Sequence, residues 1–167
     1  GLDNNPAKDA KLFSDTHPYI RNGYKGAREA VREFIEEQLL SLDSKTFKED
    51  IKRQRTGIRE WARENLVGKT AYAPGLGAPV SFTSTGIKEA LNQPHKYLIE
   101  KNDAVRDIVR LLKNAGYVLR REDDKGRPFI YHYFQIEIAN EPSYIVIREN
   151  VNSKLIDFYS IVEKLRR

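Results

Sequence analysis

Helical periodicity early in the chain and period-two strand patterns late in it predict an α+β fold, with N-terminal helices followed by a mainly antiparallel four-stranded sheet. Two observations carry this reading. Between Ala27 and Leu66 apolar residues recur at three- and four-residue intervals, the spacing that puts them on one helical stripe. After Tyr117, short runs rich in Tyr, Phe, Ile and Val are separated by polar turns. Helices first and a strand meander after is the order of an α+β domain, not of a parallel α/β sheet.

Each element has its own signal. The opening residues are polar and broken by Asn4, Asn5, Pro6, Pro18, Gly23 and Gly26. Ala27, Ala30, Val31, Phe34, Ile35, Leu39 and Leu42 then form one stripe of a first helix, opposite Arg28, Glu29, Arg32, Glu33, Glu36 and Glu37. Ser44 offers the N-cap of a second helix, with Phe47, Ile51, Ile58, Trp61 and Leu66 inward and Gly68 as its stop. The stretch from Ala73 to Pro79, rich in Gly and Pro, reads as a loop. Its glycines match neither a P-loop nor a dinucleotide fingerprint.

The segment from Pro79 to Lys101 reads as a strand, a Gly86 turn and a short helix, with His95 and Lys96 just after Pro94. Asp103 caps a helix that buries Val105, Ile108, Val109, Leu111 and Leu112 and stops at Asn114 to Gly116. Four strand candidates follow: Tyr117 to Leu119, Phe129 to Ile138, Tyr144 to Arg148 and Leu155 to Ile161. The turns between them are Asp123 to Pro128, Asn140 to Pro142 and Asn150 to Ser153. The expected organisation is a linker and amphipathic helical connector over residues 1–56 and an α+β domain over residues 57–167.

Composition narrows the chemistry. At 167 residues the chain suits one domain plus an appendage, and 40% apolar residues support a core. A net charge of +5 permits nucleic-acid binding without demonstrating it. With no cysteine, disulfides, thiolate metal sites and cysteine nucleophiles are excluded. Nothing resembles a membrane span, so a membrane is not expected as a partner. There is no methionine, and the chain is expected to be a piece of a longer protein.

No cofactor or metal is expected. His17, His95 and His132 are far apart and follow no metal-ligand spacing, and Asp123 and Asp124 lack the ladder of a calcium loop. No nucleophile-elbow sequence is present. What the residue types allow is metal-independent acid–base work on a phosphodiester, which needs a base, an acid and cations for the developing charge. His95 and His132 exchange protons near neutral pH. Lys101 and Ser160 complete the catalytic candidates. Lys88, Lys96 and Arg148 supply charge, while Tyr131, Tyr133 and Tyr159 offer stacking surfaces for nucleic acid. Blander readings stand beside these. In a strand Tyr131 and Tyr133 share one face and His132 and Phe134 the other, so one pair belongs to the core. Lys88 on an amphipathic helix is by default a solvated lysine.

The order of motifs carries a resemblance. SFTSTGIKEALNQPHK, KNDAVRDIVRLLKNAGYV, YHYFQIEI and a terminal FYSI, together with the upstream LFSDTHPYI, resemble the phage-associated nuclease-like domains of the barnase, EndoU, colicin and RelE superfamily. Such domains sit at the C-terminus of Mu-type phage head-morphogenesis (minor head) proteins. The resemblance covers roughly residues 57–165. It implies a barnase/RelE-like four-stranded antiparallel sheet and a metal-independent, RNase-type site with His95, Lys101 and Ser160 in the matching motifs and His132 beside them. It also implies RNA ahead of DNA as substrate and phage head proteins as partners. The expected setting is the bacterial host cytoplasm or the virion. A homodimer through the amphipathic helix is compatible with the pattern. The alternative expectation is a non-catalytic, capsid-associated interaction or nucleic-acid-binding module on the same fold.

Overall fold

Ser44 does not interrupt the helix. In the computed structural model, which describes residues 23–165 without the side chains of residues 23–30 and 39–43, a single helix α1 spans Gly23–Asn65. The two helices predicted on either side of Ser44 are one because no proline and a single glycine, Gly57, lie between Ala27 and Asn65. An exposed serine within a helix costs only about 0.5 kcal/mol relative to alanine. The LFSDTHPYI segment, with His17, and the side chains of Ala27, Ala30, Leu39 and Leu42 of the predicted stripe lie outside what is described. The chain divides after Asp50 into two units, and α1 contributes to both. In the first unit Val31 is buried, while Phe34 and Phe47 are exposed.

The second unit holds the sheet. Its elements are β1 (Thr70–Ala73), β2 (Ala78–Ser81), α2 (Ser84–Asn92), α3 (Leu98–Ala104), a 3-10 turn at Val105–Asp107, and α4 (Ile108–Asn114). Strands β3 (Gly116–Glu122), β4 (Phe129–Ile138), β5 (Glu141–Asn150) and β6 (Ile156–Val162) follow. The sheet has six strands in the order β1-β2-β6-β5-β4-β3. This corrects the four-stranded antiparallel, barnase/RelE-like expectation: the sheet is mixed and curled, because β2 runs parallel to β6 through the pair Ser81↔Asp157. Of the added hairpin β1–β2 only the strand from Pro79 was read in the sequence. Each strand is four residues long, and the turn closed by Gly77 at φ +75° lies in the stretch read as a loop, so nothing marked β1 or its pairing.

From β3 to β6 neighbouring strands pair antiparallel. Residues 139 and 140 form a two-residue β4–β5 turn, both with positive φ, the arrangement whose twist matches a hairpin. Strand alternation then gives the sheet two faces. Phe134, Ile136, Ile138, Ile145, Ile147, Phe158 and Ile161 join Ile58 and Ala62 of α1, Leu66 just after it, and Ile87, Ala90 and Leu91 of α2 in the main core. Tyr131, Tyr133 and Val146 form a second cluster with Leu119, Phe129, Tyr144, Tyr159, Val162 and Leu165. Helix α2 begins with Thr83 as N-cap, its hydroxyl accepting from the Gly86 N–H at 3.0 Å. Gly86 lets the helix backbone lie directly on β6, since a Cβ there would sit 2.0 Å from the Phe158 carbonyl oxygen.

Candidate functional site

The second face of the sheet is an aromatic floor overlaid by guanidinium groups. Arg121 stands next to Tyr131 across the β3–β4 pairing, and its guanidinium carbon lies 5.0 Å from the Tyr131 ring. Its Nε and Nη2 each donate to the Tyr133 hydroxyl at 3.3 Å. Arg148, paired with Tyr131 from the β5 side, lies 4.7 Å from the rings of both Phe129 and Tyr159. Its Nη2 is 3.3 Å from Asp157 Oδ2. Burial pushes the Asp157 carboxyl up, and Arg148 opposes that shift. At the β3–β4 turn Asp123 accepts from Arg127 Nη2 at 2.8 Å and from the Tyr131 hydroxyl at 3.0 Å. The Arg127 guanidinium leads the interactions that hold Asp123 well below the usual carboxylate range.

A cavity of about 360 Å³ opens on this face, lined by Tyr131, Tyr133, Tyr159, Ser160, Arg121 and, from α2, Glu89 among others. Its shape depends on a bulge. On β5 consecutive residues Val146 and Ile147 pair with Ser160 and Phe158, which leaves Tyr159 as the extra residue on β6. The bulge resets the alternation, so adjacent residues Tyr159 and Ser160 both line the cavity while Phe158 and Ile161 stay in the main core. Ser160 is 2% exposed, and its Oγ has no hydrogen-bond partner among the described residues. A buried hydroxyl left this way costs roughly 1–3 kcal/mol.

Ser160, Tyr131, Tyr133, Tyr159 and Arg148 are therefore together. The other candidates are elsewhere. His95 Nδ1 accepts the Tyr97 backbone N–H at 2.9 Å, which places the ring proton on Nε2, 2.8 Å from the Ser143 hydroxyl. Ser143 is fully buried and shares the helix-covered face with Ile145 and Ile147. Burial lowers the His95 pKa, with nearby Glu163 opposing. Lys96 pairs with Glu141 at 2.6 Å, and Tyr97 donates its hydroxyl proton to the same carboxylate at 2.8 Å.

Lys101 is fully buried, and its ammonium donates to the carbonyls of Ala90 and Leu91 at the end of α2. Burial lowers its pKa to about 7, with Arg55 adding to the shift. Lys88 is exposed on α2. His132 lies between the Tyr117 hydroxyl, 2.7 Å from Nδ1, and Glu149 Oε1, 2.9 Å from Nε2. Sequence reasoning missed Arg121, Arg127 and Glu89. Arg121 had a signal, an arginine in a strand adjoining a Tyr-rich one. Glu89 had none, since only the packing of α2 brings it to the cavity.

Among the described residues no group of three or more His, Asp or Glu side chains could hold a metal ion, and no helix is long and apolar enough to cross a membrane. A family model described as large polyvalent protein-associated domain 3 matches residues 49–157. The chain belongs to that family. The match agrees with the phage association read from the sequence at the level of a polyvalent-protein-associated domain. No curated protein and no solved structure matches the chain. Of the groove, Glu89, Arg121, Tyr131, Tyr133 and Arg148 lie inside the segment matched to the large polyvalent protein-associated domain 3 family, while Tyr159 and Ser160 follow directly after it.

Proposed function

We propose that this polyvalent-protein-associated domain binds single-stranded nucleic acid, RNA ahead of DNA, along the arginine-overlaid aromatic groove, as a non-catalytic module of a larger phage protein. The observation that carries the reading is Arg121 over Tyr131 at a cavity that the buried, unpartnered Ser160 also lines, with Arg148 over Phe129 and Tyr159 on the same face of the sheet. Guanidinium groups held 4.7–5.0 Å from aromatic ring centres offer unstacked bases a surface and phosphates a donor fork. The net charge of +5 favours a polyanion.

Binding is preferred to the metal-independent ribonuclease because hydrolysis requires an acid, a base and a cation around one open point. Here Ser160 faces the groove, whereas His95 is bonded to Ser143 on the opposite face and Lys101 is turned to helix carbonyls. The test is fluorescence anisotropy with short labelled single-stranded RNA and DNA over a salt series, with the same RNA followed on gels in chelator. The expected outcome is salt-sensitive binding that weakens about tenfold in Arg121→Gln, with the RNA left intact. Chelator-resistant cleavage that falls by orders of magnitude in His95→Ala would overturn the reading and favour the nuclease.

A further inference from the structure

The groove described above has more than a surface to offer. Its cavity, at about 360 Å³, is in the range of small-ligand pockets, and its apolar part comes from Tyr131, Tyr133, Tyr159 and Val146. Most polar groups around it are already engaged: Asp123 with Arg127 and Tyr131, and the Tyr133 hydroxyl with Arg121. Ser160 Oγ is buried and without a partner among the described residues, and Glu89 lines the cavity from α2 with an acceptor-only carboxylate.

We propose that this cavity takes one unstacked nucleobase carrying an exocyclic amine, whose polar edge meets Ser160 and Glu89. The inference rests on the nucleic-acid reading of the groove and narrows it to a base class. Flat aromatic walls accept any base. The edge is selected by the acceptor: a carboxylate pairs with the amino group of cytosine, adenine or guanine. Against uracil it faces two carbonyl oxygens flanking a single N–H, an arrangement of like dipoles. A base edge in this position also gives the Ser160 hydroxyl the partner it lacks. Lys125 and Arg127 at the rim of the same cavity stand where the flanking phosphates would pass.

Cytosine and uracil differ at this edge by an amine in place of a carbonyl, so they make the cleanest comparison. The experiment is anisotropy of a short oligouridylate carrying, at one central position, cytosine, uracil or an abasic site. It is run on the wild-type protein, Glu89→Gln and Ser160→Ala. The cytosine oligomer is expected to bind about tenfold more tightly than the other two. Glu89→Gln should bring cytosine and uracil to the same affinity, and Ser160→Ala should weaken the cytosine oligomer alone. Equal, salt-sensitive binding of all three oligomers by the wild type would overturn the base pocket and leave the groove as a sequence-blind binder. Binding of none of them would overturn both readings.

Discussion

Lys101 and His95 each sit in a neutral-favouring environment, and each gives the fold a pH dependence of its own. For Lys101 the folded pKa, about 7, lies below the unfolded value of 10.5. The stability that comes with the neutral amine is fully present above the unfolded pKa. It is lost as pH falls from 10.5 towards 7, at up to about 1.4 kcal/mol per pH unit, and below that window the loss is complete. Denaturant unfolding of the wild type and Lys101→Met should therefore differ by an amount that changes between those pH values and is flat below pH 7. A constant difference across the window would show that the ammonium stays charged, held by the Ala90 and Leu91 carbonyls. His95 follows the same sign at lower pH. Its pKa is below 6.5, so its contribution is complete above that value and declines as pH falls beneath it, when a proton on Nδ1 displaces the Tyr97 N–H. A proton-NMR titration of His95 should give a midpoint below that of a histidine in the unfolded chain. The residue scale is also where the sequence was least legible. Lys101, Ser160 and His95 are all polar and look alike in a motif, yet helix-end carbonyls, a bulge and a buried serine give them unrelated surroundings.

Element α2 depends on two small features at its start. Thr83 supplies its cap and Gly86 its close approach to β6. Thr83→Ala should lower stability by about 1 kcal/mol. Gly86→Ala should lower it by about 3 kcal/mol, because the new methyl meets the Phe158 backbone, which cannot step aside like a flexible side chain. Urea midpoints of the two variants test this order, and a Gly86→Ala as stable as wild type would mean that α2 can shift on β6. Gly86 is also instructive about legibility. A glycine between a strand and a helix reads as a turn, yet here it lies inside the helix and serves packing. The continuous α1 shows the converse, since a serine with capping chemistry does not start a helix when the preceding residues are already helical. Strand β4 was legible with its full bounds because a ten-residue aromatic and β-branched run ends at a polar turn, whereas β5 was read only as Tyr144 to Arg148 because Glu141, Pro142 and Asn150 look like turn residues.

For the whole second unit, protection is expected to follow the sheet from its centre outward. Strands β4, β5 and β6 are paired along their lengths and packed on both faces, whereas β1 lies at an edge. Native-state hydrogen exchange should find the slowest amides in β5 and faster exchange in β1. Equal protection of β1 and β5 would mean that the hairpin opens only with global unfolding. The order of helices and strands could be read from periodicity, but the mixed sheet could not. A parallel contact resting on one residue pair leaves no pattern in either strand.

That contact, Ser81 against Asp157, also sets a timetable. While the chain is being synthesised, α1, β1, β2 and α2 are exposed long before β6 exists, and the helices have no strand to cover their apolar faces. Each hairpin from β3 onward closes over a short loop, but the joining of β2 to β6 closes over almost half the chain and carries the larger entropy cost. The earliest elements to emerge are thus among the last to find their place. A chain stopped before Ile156 would retain its N-terminal helices with nothing to complete them, the condition in which sticky intermediates form.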